Sequence, residues 1–374
     1  MIIFNVPSIT ELEREFIGNS LSGKLCGDGS YTEEAVVLFK KATGVKNMIL
    51  TTSCTHALEL AALLCDIKPG DEVILPSYTF SSTANAFSLR GAKLVFCDIR
   101  PDTLNIDEGL IEGLITSKTR VIAPVHYAGV SCEMDIINDI AQEHGSFVVE
   151  DAAQAVGSFY KDRPCGALSD FGCYSFHETK NYNMGEGGGI VIRDSALVER
   201  AEIIREKGTD RSKFWRGEVD KYTWRETGSS YLPSDVLAAM LCAQLMRFDE
   251  IMQSRMHVWN TYHVAFADLE EERGWRRPIV PHDCKHNAHM YYLLAPCADK
   301  RTQALKTLKE RGVYAVSHYE PLHAAPMGLA MGYKPGDFPL TMDYASRIIR
   351  LPMYAGLSDD NIAYIIDVVN EVCD

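Results

Sequence analysis

Short apolar runs recur along the first half of the chain, and stretches with a helical spacing of apolar positions separate several of them. The runs cover residues 47–50, 72–75, 93–96, 120–123, 146–149, 173–176 and 189–192. The amphipathic stretches between them include residues 55–64, 82–90 and 134–143. Strands that alternate with helices form mostly parallel sheets with helices on both faces. The pattern therefore predicts an α/β domain built on a mostly parallel seven-stranded sheet.

The second half of the chain has a different pattern. A helix is predicted over residues 196–207, followed by a polar segment over 208–224 and one long helix over 234–269. Beyond it the pattern predicts short strands and helices, namely a strand near 290–295, a helix over 302–311, a strand near 314–319 and helices starting at Tyr344 and Asp359. We therefore expect a large domain over residues 1–245 and a smaller mixed α/β domain over residues 246–374.

Composition narrows the possible classes of protein. The 374 residues are 46% hydrophobic and 24% charged, enough to bury a large core in two domains. A formal charge of −14 argues against a general nucleic-acid partner, which needs a basic surface. The start lacks the pattern of a signal peptide, and no segment approaches the length of a membrane span, so we expect a cytoplasmic protein without membrane insertion. The 11 cysteines include no CxxC pair, which favours reduced thiols.

A lysine stands at a tight connection between two of the predicted strands. Lys180 follows the run that ends at Phe176, and the glycine-rich stretch 185–189 leads into the next run. The strand before them ends in Glu150 and Asp151. Pyridoxal phosphate needs such a pair: an amine that forms a Schiff base and an acid that keeps the ring nitrogen protonated. A lone lysine is most often a solvated surface charge, and a lone aspartate here would cap a helix, so the interpretation rests on the combination.

Several short motifs resemble one enzyme family. They are Ser53-Cys54-Thr55, Pro76 to Phe80, Pro124-Val125-His126, Glu150 to Gln154 and Ser175 to Lys180. Over nearly the whole chain, the sequence resembles the sugar aminotransferases of the DegT/DnrJ/EryC1/StrS family. The resemblance implies the fold type I, aspartate aminotransferase-like architecture and pyridoxal 5'-phosphate as cofactor. It also implies a homodimer with active sites at the subunit interface.

The resemblance also implies roles for individual residues. Cys54 and Thr55, at the start of a predicted helix, would bind the cofactor phosphate, with Ser175 as a further ligand; helix amino termini attract phosphate, although a plain helix cap is the alternative. Phe80 would stack on the cofactor ring unless it is a core aromatic, and Gln154 would contact the ring hydroxyl. Lys180 favours amino transfer, because relatives with histidine at this position remove oxygen instead. His318 would face the sugar, and its segment lacks the further ligands that a metal site needs.

A basic and aromatic segment over residues 207–225 stands out in the acidic chain. Guanidinium groups and aromatic rings suit a nucleotide diphosphate, although a solvated loop accounts equally well for any single side chain. We expect Arg211 and Arg225 to contact the substrate. Many relatives carry an asparagine after the following tyrosine, which reaches the cofactor phosphate of the partner subunit. Here Leu232 takes that position, which leaves Ser229 and Ser230 as the candidates for this contact.

The activity implied is transfer of an amino group, with glutamate as donor, to the C4 keto carbon of a nucleotide-linked 4-keto-6-deoxy sugar. Residues 23–29, 205–209, 220–225 and 228–231 further resemble a subgroup that makes dTDP-4-amino-4,6-dideoxygalactose for enterobacterial common antigen. Three alternatives stay open: another nucleotide keto sugar, a nicotinamide oxidoreductase, and a non-catalytic regulatory protein. The oxidoreductase is disfavoured because its glycine fingerprint follows a strand, whereas residues 185–189 precede one. A regulatory protein would be expected to lack Lys180 or Asp151.

Overall fold

The predicted apolar runs form the strands of one central sheet. The structure is a computed structural model that describes residues 1–373. Its strands are β1 (Met48–Thr51), β2 (Glu72–Pro76), β3 (Lys93–Cys97), β4 (Thr119–Ile122), β5 (Phe147–Asp151), β6 (Phe159–Tyr160), β7 (Arg163–Pro164), β8 (Phe171–Ser175), β9 (Gly188–Ile192), β10 (Cys284–Lys285), β11 (Tyr292–Leu294) and β12 (Ile348–Arg350). All seven predicted sheet strands are confirmed, with small shifts at their ends.

The helices are α1 (Glu11–Ser20), α2 (Ser30–Thr43), α3 (Cys54–Leu64), α4 (Ser81–Ser88), α5 (Glu108–Ile111), α6 (Met134–His144), α7 (Val198–Arg205), α8 (Arg211–Trp215), α9 (Asp235–Met246), α10 (Phe248–Ala265), α11 (Ala267–Arg273), α12 (Ala298–Glu310), α13 (Pro326–Ala330), α14 (Pro339–Arg347) and α15 (Asp359–Val372). Short 3-10 turns cover Glu112–Leu114, Tyr127–Gly129, Ser195–Leu197 and Pro335–Asp337. Among the described residues, no helix combines the length and the apolar character needed to cross a membrane.

The seven-stranded sheet has the order β1-β9-β8-β5-β4-β2-β3. Its neighbouring strands are parallel except where β9 pairs with β1 and β8, to which it runs antiparallel. Both faces of the sheet are buried: Val73 and Leu75 of β2 belong to one hydrophobic cluster, and Ile74 between them belongs to another. Alternation of this kind follows from the two-residue period of a strand. The predicted mostly parallel α/β sheet is thus confirmed.

The topology brings several strand ends to one edge of the sheet. The carboxyl ends of β1, β2, β5 and β8 precede, respectively, residues 52–55, 77–80, 152–154 and 176–180. Asp151 pairs with Cys173, so Ser175 lies two positions further along the neighbouring strand. Ligands of such sheets bind in the crevice outside these ends. The candidate residues from four separate segments therefore share one edge.

The C-terminal region has a core of its own. One hydrophobic cluster draws its buried members from residues 258–373, among them Trp259, Tyr291 and Ile365. β11 and β12 pair antiparallel beside it. Ile2 forms a parallel bridge with Val313, so the amino terminus of the chain packs against this region. The domain boundary between residues 245 and 246 stays a prediction.

Three predictions for the second half of the chain were wrong. The single helix over 234–269 is three helices, because Arg247 and Phe266 have non-helical ψ values of 20° and 18°. The strand near 314–319 is absent: only Val316 bridges to Arg350, and the chain then turns to the sheet edge. The helix expected from Tyr344 onward instead ends at Arg347, because the next three residues pair with β11 as strand β12.

Candidate active site

A cavity of about 490 Å³ opens at the carboxyl ends of the sheet strands. It brings together most of the predicted site residues, namely Cys54, Thr55, Phe80, Asp151, Gln154, Ser175, Lys180 and His318. Four others, Arg211, Arg225, Ser229 and Ser230, do not line this cavity. The cavity is therefore the candidate active site of the chain, and the remaining four residues lie elsewhere on the same subunit.

Lys180 lies in the loop that connects β8 to β9. Ser175 and Gly188 pair at the two ends of this loop, which closes it like a hairpin. The amine is not within ion-pair distance of any carboxylate in residues 1–373. Burial lowers the pKa of Lys180, and the nearby Arg350 lowers it further, against the opposing effects of Cys54 and Asp151. At a given pH, more of the Lys180 amine is neutral than in an exposed lysine.

Asp151 is fixed at the end of β5. Its side chain is buried and accepts a 2.6 Å hydrogen bond from the hydroxyl of Thr83 and a 3.1 Å bond from the amide of Ala153. Asp151 therefore caps the following turn and also lines the cavity. The neighbouring Glu150 does not line it, because its carboxylate accepts hydrogen bonds from His126 and from three backbone amides.

Gln154 joins two walls of the cavity. Its side-chain oxygen accepts a 2.7 Å hydrogen bond from the amide of Ala128, and its side-chain nitrogen donates a 2.9 Å bond to the hydroxyl of Tyr319. Since Ala128 follows β4 and Tyr319 belongs to the C-terminal region, the glutamine holds these segments together. The amide nitrogen keeps a second hydrogen for a ligand.

The amino terminus of α3 forms another wall. Ser53 caps the helix by accepting a 3.1 Å hydrogen bond from the amide of His56. The amides of Cys54 and Thr55 are in the first turn and have no intrahelical acceptor. A Cβ atom at Gly188 would lie 2.3 Å from the Cys54 nitrogen, so glycine is required for β9 to approach this helix end. The helix amino terminus, with its partial positive charge, therefore presents unpaired backbone N–H donors that suit a phosphate.

Phe80 and Ser175 complete this side of the cavity. Phe80 precedes α4, and 59% of its surface is exposed, which excludes the core aromatic considered from the sequence. Its ring centroid lies 6.2 Å from that of Tyr319. Ser175, at the end of β8, is buried, and its hydroxyl accepts a 3.4 Å hydrogen bond from the amide of His177.

His318 and His289 line the cavity from the C-terminal region. The carbonyl of His318 accepts a hydrogen bond from Tyr78, and its Nδ1 lies 3.2 Å from the hydroxyl of Tyr127. Nδ1 of His289 lies 2.9 Å from Oδ1 of Asn181, the residue after Lys180. Burial lowers the pKa of both histidines well below the usual value, and the charge of Lys180 lowers it further. Both imidazoles are therefore neutral near pH 7.

The sequence interpretation missed Arg350, His289 and Tyr319. Each lies in the C-terminal region, where the predicted elements were partly wrong. The sequence around Arg350 is unusual and could have identified it, because this charged residue lies directly between the apolar pairs 348–349 and 351–352. A single cationic residue within an apolar strand pattern indicates either that the aliphatic part of its side chain packs against the core or that its charged group binds a ligand.

The residues outside the cavity have partners in their own segment. Arg225 donates a 2.6 Å hydrogen bond to Asp210, and Arg211 lies 3.4 Å from Glu206. Ser229 and Ser230 are exposed. The segment also exposes large rings, with Trp224 77% and Trp215 61% exposed.

His323 has a packing role within the described chain. Its Nδ1 lies 2.5 Å from the hydroxyl of Ser77, and its Nε2 lies 3.2 Å from the carbonyl of Pro335. His323 is fully buried, whereas Glu320 is exposed. The histidine therefore connects the C-terminal region to the segment after β2.

The residues of the cavity fit pyridoxal phosphate. The first-turn amides of α3, with the hydroxyls of Thr55 and Ser175, would hold the phosphate, and Asp151 would hold the ring nitrogen. When bound, the cofactor supplies a ring that accepts electrons from the substrate carbon. Because the pKa of Lys180 is lowered, a larger fraction of its amine is neutral than in an exposed lysine. The neutral amine can accept a proton at its Nζ atom and later release it. An amine, a carboxylate and hydrogen-bond donors for a phosphate thus line one cavity.

Comparison with known proteins identifies the family. The model of the DegT/DnrJ/EryC1/StrS aminotransferase family matches residues 7–370. The spore coat polysaccharide biosynthesis protein SpsC of Bacillus subtilis is 34% identical over 99% of this chain and 96% of its own length. GDP-perosamine synthase of Caulobacter vibrioides is 32% identical over 98% of this chain and 96% of its own length.

Solved structures show the same fold. Spr1654 of Streptococcus pneumoniae, a proposed sugar aminotransferase, superposes in its apo form with a TM-score of 0.93 at 26% identity, over 100% of this chain and 97% of its own. The same protein has been solved in forms with pyridoxal phosphate and with pyridoxamine phosphate. The chain therefore belongs to the DegT/DnrJ/EryC1/StrS aminotransferase family and is a pyridoxal-phosphate-dependent sugar aminotransferase.

Proposed function

We propose that the enzyme transfers an amino group from glutamate to the C4 keto carbon of a nucleotide-linked 4-keto-6-deoxy sugar. The observation that carries this proposal is the placement of Lys180 in one cavity with Asp151 and the amino terminus of α3. A lysine with a lowered pKa can act as the base that moves a proton between donor carbon and cofactor.

The proposed substrate is dTDP-4-keto-6-deoxyglucose, giving dTDP-4-amino-4,6-dideoxygalactose, as in the synthesis of enterobacterial common antigen. Support comes from residues 23–29, 205–209, 220–225 and 228–231, whose sequence resembles that subgroup. The exposed rings and cations of the 207–225 segment are chemically suited to a nucleotide and its diphosphate. GDP-perosamine synthase is a relative whose name refers to another nucleotide, so a different nucleotide keto sugar is the second candidate.

We also propose that residues 208–231 act in the partner subunit of a homodimer. Arg211, Arg225, Ser229 and Ser230 do not line the cavity of their own chain, although the family resemblance implies contacts of this segment with cofactor and substrate. A two-fold assembly in which each subunit lends the segment to its neighbour would reconcile these facts. A cytoplasmic location stays a prediction from the sequence.

Spectroscopy of the purified protein tests the function in two steps. Addition of L-glutamate should convert the absorption of the bound cofactor from the aldehyde-derived to the amine form, and addition of the correct nucleotide keto sugar should reverse the change. A panel of 4-keto sugars on thymidine, guanosine and uridine diphosphate then identifies the substrate. Failure of every sugar to reverse the change would contradict the proposed acceptor, and no response to amino acids would contradict amino transfer from them.

A further inference from the structure

His289 keeps one ring nitrogen unpaired in the wall of the cavity. The side chain is 7% exposed and lines the same cavity as Lys180. Its Nδ1 atom lies 2.9 Å from Oδ1 of Asn181, whereas its Nε2 atom forms no hydrogen bond within residues 1–373. A polar atom of a buried side chain loses hydrogen bonds to water on folding, and only a ligand can replace them here. Nε2 is therefore a candidate contact for a ligand.

The amide of Asn181 decides which nitrogen of His289 carries the hydrogen. Nδ2 of Asn181 donates a 2.7 Å hydrogen bond to the carbonyl of Asn287, a group that can only accept. This bond orients the amide so that Oδ1, an acceptor, faces His289. Nδ1 of His289 must therefore carry the hydrogen and donate it. Burial, and then the charge of Lys180, lower the pKa of His289, so the ring is neutral and Nε2 keeps its lone pair.

The chain also fixes the position of this ring. Nε of the buried Arg255 donates a 3.0 Å hydrogen bond to the carbonyl of Ala288, and its Nη2 donates a 2.6 Å bond to the carbonyl of His289. Asn181 is buried too, and it directly follows Lys180 in the loop between β8 and β9. The backbone of His289 is therefore held from one side by Arg255, and its ring is held from the other side by Asn181.

A lone pair in this place selects the kind of group that can bind. Carboxylates and ionised phosphates carry no hydrogen to donate, so they gain nothing from Nε2. Hydroxyl groups and amines do carry one. The amine of Lys180 lines the same cavity, but no hydrogen bond joins its Nζ atom to Nε2 of His289. A hydroxyl group of the ligand is therefore the group that fits.

We propose that His289 accepts a hydrogen bond from the C3 hydroxyl of the acceptor sugar, and that Asn181 is the positioning residue that sets its tautomer. This inference rests on the proposed function and names a specificity contact of that same site. In a 4-keto-6-deoxy sugar, the reacting C4 is bonded to C3, which carries a hydroxyl, and to C5, which carries a methyl group. The C3 hydroxyl is thus the hydroxyl nearest the reacting carbon. Because His289 bonds to the residue that follows Lys180, its ring lies on the side of the cavity where C4 reacts.

The test compares two acceptors, the nucleotide 4-keto-6-deoxy sugar and its 3-deoxy analogue. In the parent enzyme, kcat/KM should be roughly tenfold higher for the sugar with the C3 hydroxyl, from one hydrogen bond to a buried neutral acceptor. His289→Phe, which keeps an aromatic ring without an acceptor, should use both sugars alike. His289→Gln, whose amide oxygen accepts, should recover part of the preference. An unchanged preference in His289→Phe would overturn the proposal, and a slower reaction with glutamate in that variant would then assign the contact to Lys180.

Variants of two asparagines test the role of the tautomer. Asn181→Leu has a side chain of similar size but cannot hold Nδ1 of His289, so the preference for the C3 hydroxyl should fall several-fold, to roughly half of its logarithm. Asn183→Leu is the matched control, because Asn183 is a buried asparagine of the same loop that bonds to Gln244. Equal losses in the two variants would overturn the role of Asn181, since loop packing would then set the preference. Thermal unfolding of each variant shows whether it is folded.

Two measurements without turnover separate this inference from the proposed function. Two-bond 1H–15N NMR spectra of the cofactor-free protein, labelled with 15N-histidine, distinguish a ring nitrogen that carries a hydrogen from one that does not. The signals of His289, identified by their absence in His289→Phe, should show the hydrogen on Nδ1, and a hydrogen on Nε2 would overturn the proposal.

Calorimetric titration of the holoenzyme uses dTDP-6-deoxyglucose, whose C4 hydroxyl cannot accept an amino group, and its 3-deoxy analogue. The parent should bind the first about tenfold more tightly, and His289→Phe should bind both alike. Equal affinities in the parent would overturn the contact with the C3 hydroxyl. If no keto sugar accepted an amino group, the proposed function would fail, while the NMR spectra would still report the tautomer of His289.

Discussion

Thr83 donates a hydrogen bond of 2.6 Å to Oδ2 of Asp151. The donor lies in α4, after β2, and the acceptor ends β5, so the bond joins two strand ends that are separated by β4 in the sheet. Thr79 lies 2.9 Å from the Thr83 hydroxyl and extends the contact. Because Ala153 also donates to Asp151, the carboxylate cannot rotate freely. Its orientation toward the cavity is therefore set before any ligand binds.

We expect Asp151→Asn to keep the fold and slow the reaction. An amide of the same shape cannot hold the ring nitrogen protonated, so the ring becomes a poorer electron acceptor. Turnover should fall by roughly a factor of 100 to 1,000, the range for loss of one electrostatic partner of a transition state. Steady-state kinetics with excess cofactor measure the effect. Parent-like rates would show that Asp151 is only a cap.

Thr83→Val should show how much the orientation of Asp151 contributes. Valine has nearly the shape of threonine but cannot donate the hydrogen bond, so we expect a rate loss of about tenfold, from one hydrogen bond to a charged group. Thr83→Ser keeps the hydroxyl and serves as the matched control. A loss of similar size in both variants would mean that packing at α4, and not the hydrogen bond, causes the effect.

The lowered pKa of Lys180 can be measured directly. Cofactor-free protein is treated with cyanate over a range of pH, and the modification of Lys180 is followed by peptide mass spectrometry. Cyanate reacts with neutral amines, so the normalised profile of Lys180 should reach its midpoint below the ordinary value of 10.5. Nα-acetyl-lysine in the same buffers is the reference. A midpoint at or above that of the reference would contradict the effect of burial.

Stability in mild acid should depend on His286. Its ring centroid lies 4.3 Å from that of Trp259, and its Nδ1 accepts a hydrogen bond from the amide of Ala288. Burial, with a smaller effect of His263, lowers the pKa of His286 from 6.5 to about 4. Between these values the unfolded chain takes up a proton that the folded chain does not. The contribution to stability is therefore lost as the pH falls from 6.5 to 4.

The size of this effect is on the order of 2–3 kcal/mol at pH 4, as an upper estimate from the shift. Urea unfolding at pH 7 and at pH 4.5 gives the free energy of unfolding for the parent and for His286→Gln, which keeps a hydrogen-bond acceptor. The parent should lose more stability over this interval than the variant. Equal losses would mean that His286 titrates normally in the folded protein.

Subunit mixing tests the proposed role of the segment over residues 208–231. Lys180→Ala subunits are combined with subunits that carry substitutions at Arg211, Arg225, Ser229 and Ser230, under conditions that allow exchange. If the segment acts on the partner's cavity, each mixed dimer has one complete site, and about a quarter of normal activity should return from random assortment. No recovery, with exchange demonstrated by mass spectrometry, would show that the segment serves its own chain or no site.

The sequence interpretation succeeded where local patterns determine the structure and failed where contacts between residues distant in sequence determine it. Strands β1 to β5, β8 and β9 were predictable because buried strands are short apolar runs, and glycines mark their ends. The breaks in the long helix were not, because they involve contacts distant in sequence. Arg247 at the first break bonds to Glu13 at 2.9 Å, a residue more than 200 positions away. No local pattern carries that information.

The same reason explains which site residues were found. Lys180 and Asp151 follow strands that the local pattern identifies, so their shared edge could be inferred from topology. Arg350 is the last residue of a strand that was mistaken for part of a helix starting at Tyr344. Its position opposite Tyr292 depends on pairing with β11, which only the folded chain provides. A cation in the site therefore escaped notice although its sequence context was unusual.

The closed loop over residues 176–187 has a consequence for protein engineering. Ser175 and Gly188 pair at its ends, and Gly188 leaves no space beside the Cys54 amide, so neither end of the loop can shift. An insertion within this loop would have to bulge outward or move the lysine. Loops whose ends are free to separate absorb extra residues more readily. Libraries intended to change substrate choice should therefore vary length in the exposed stretch near Gly217 and keep residues 176–187 at constant length.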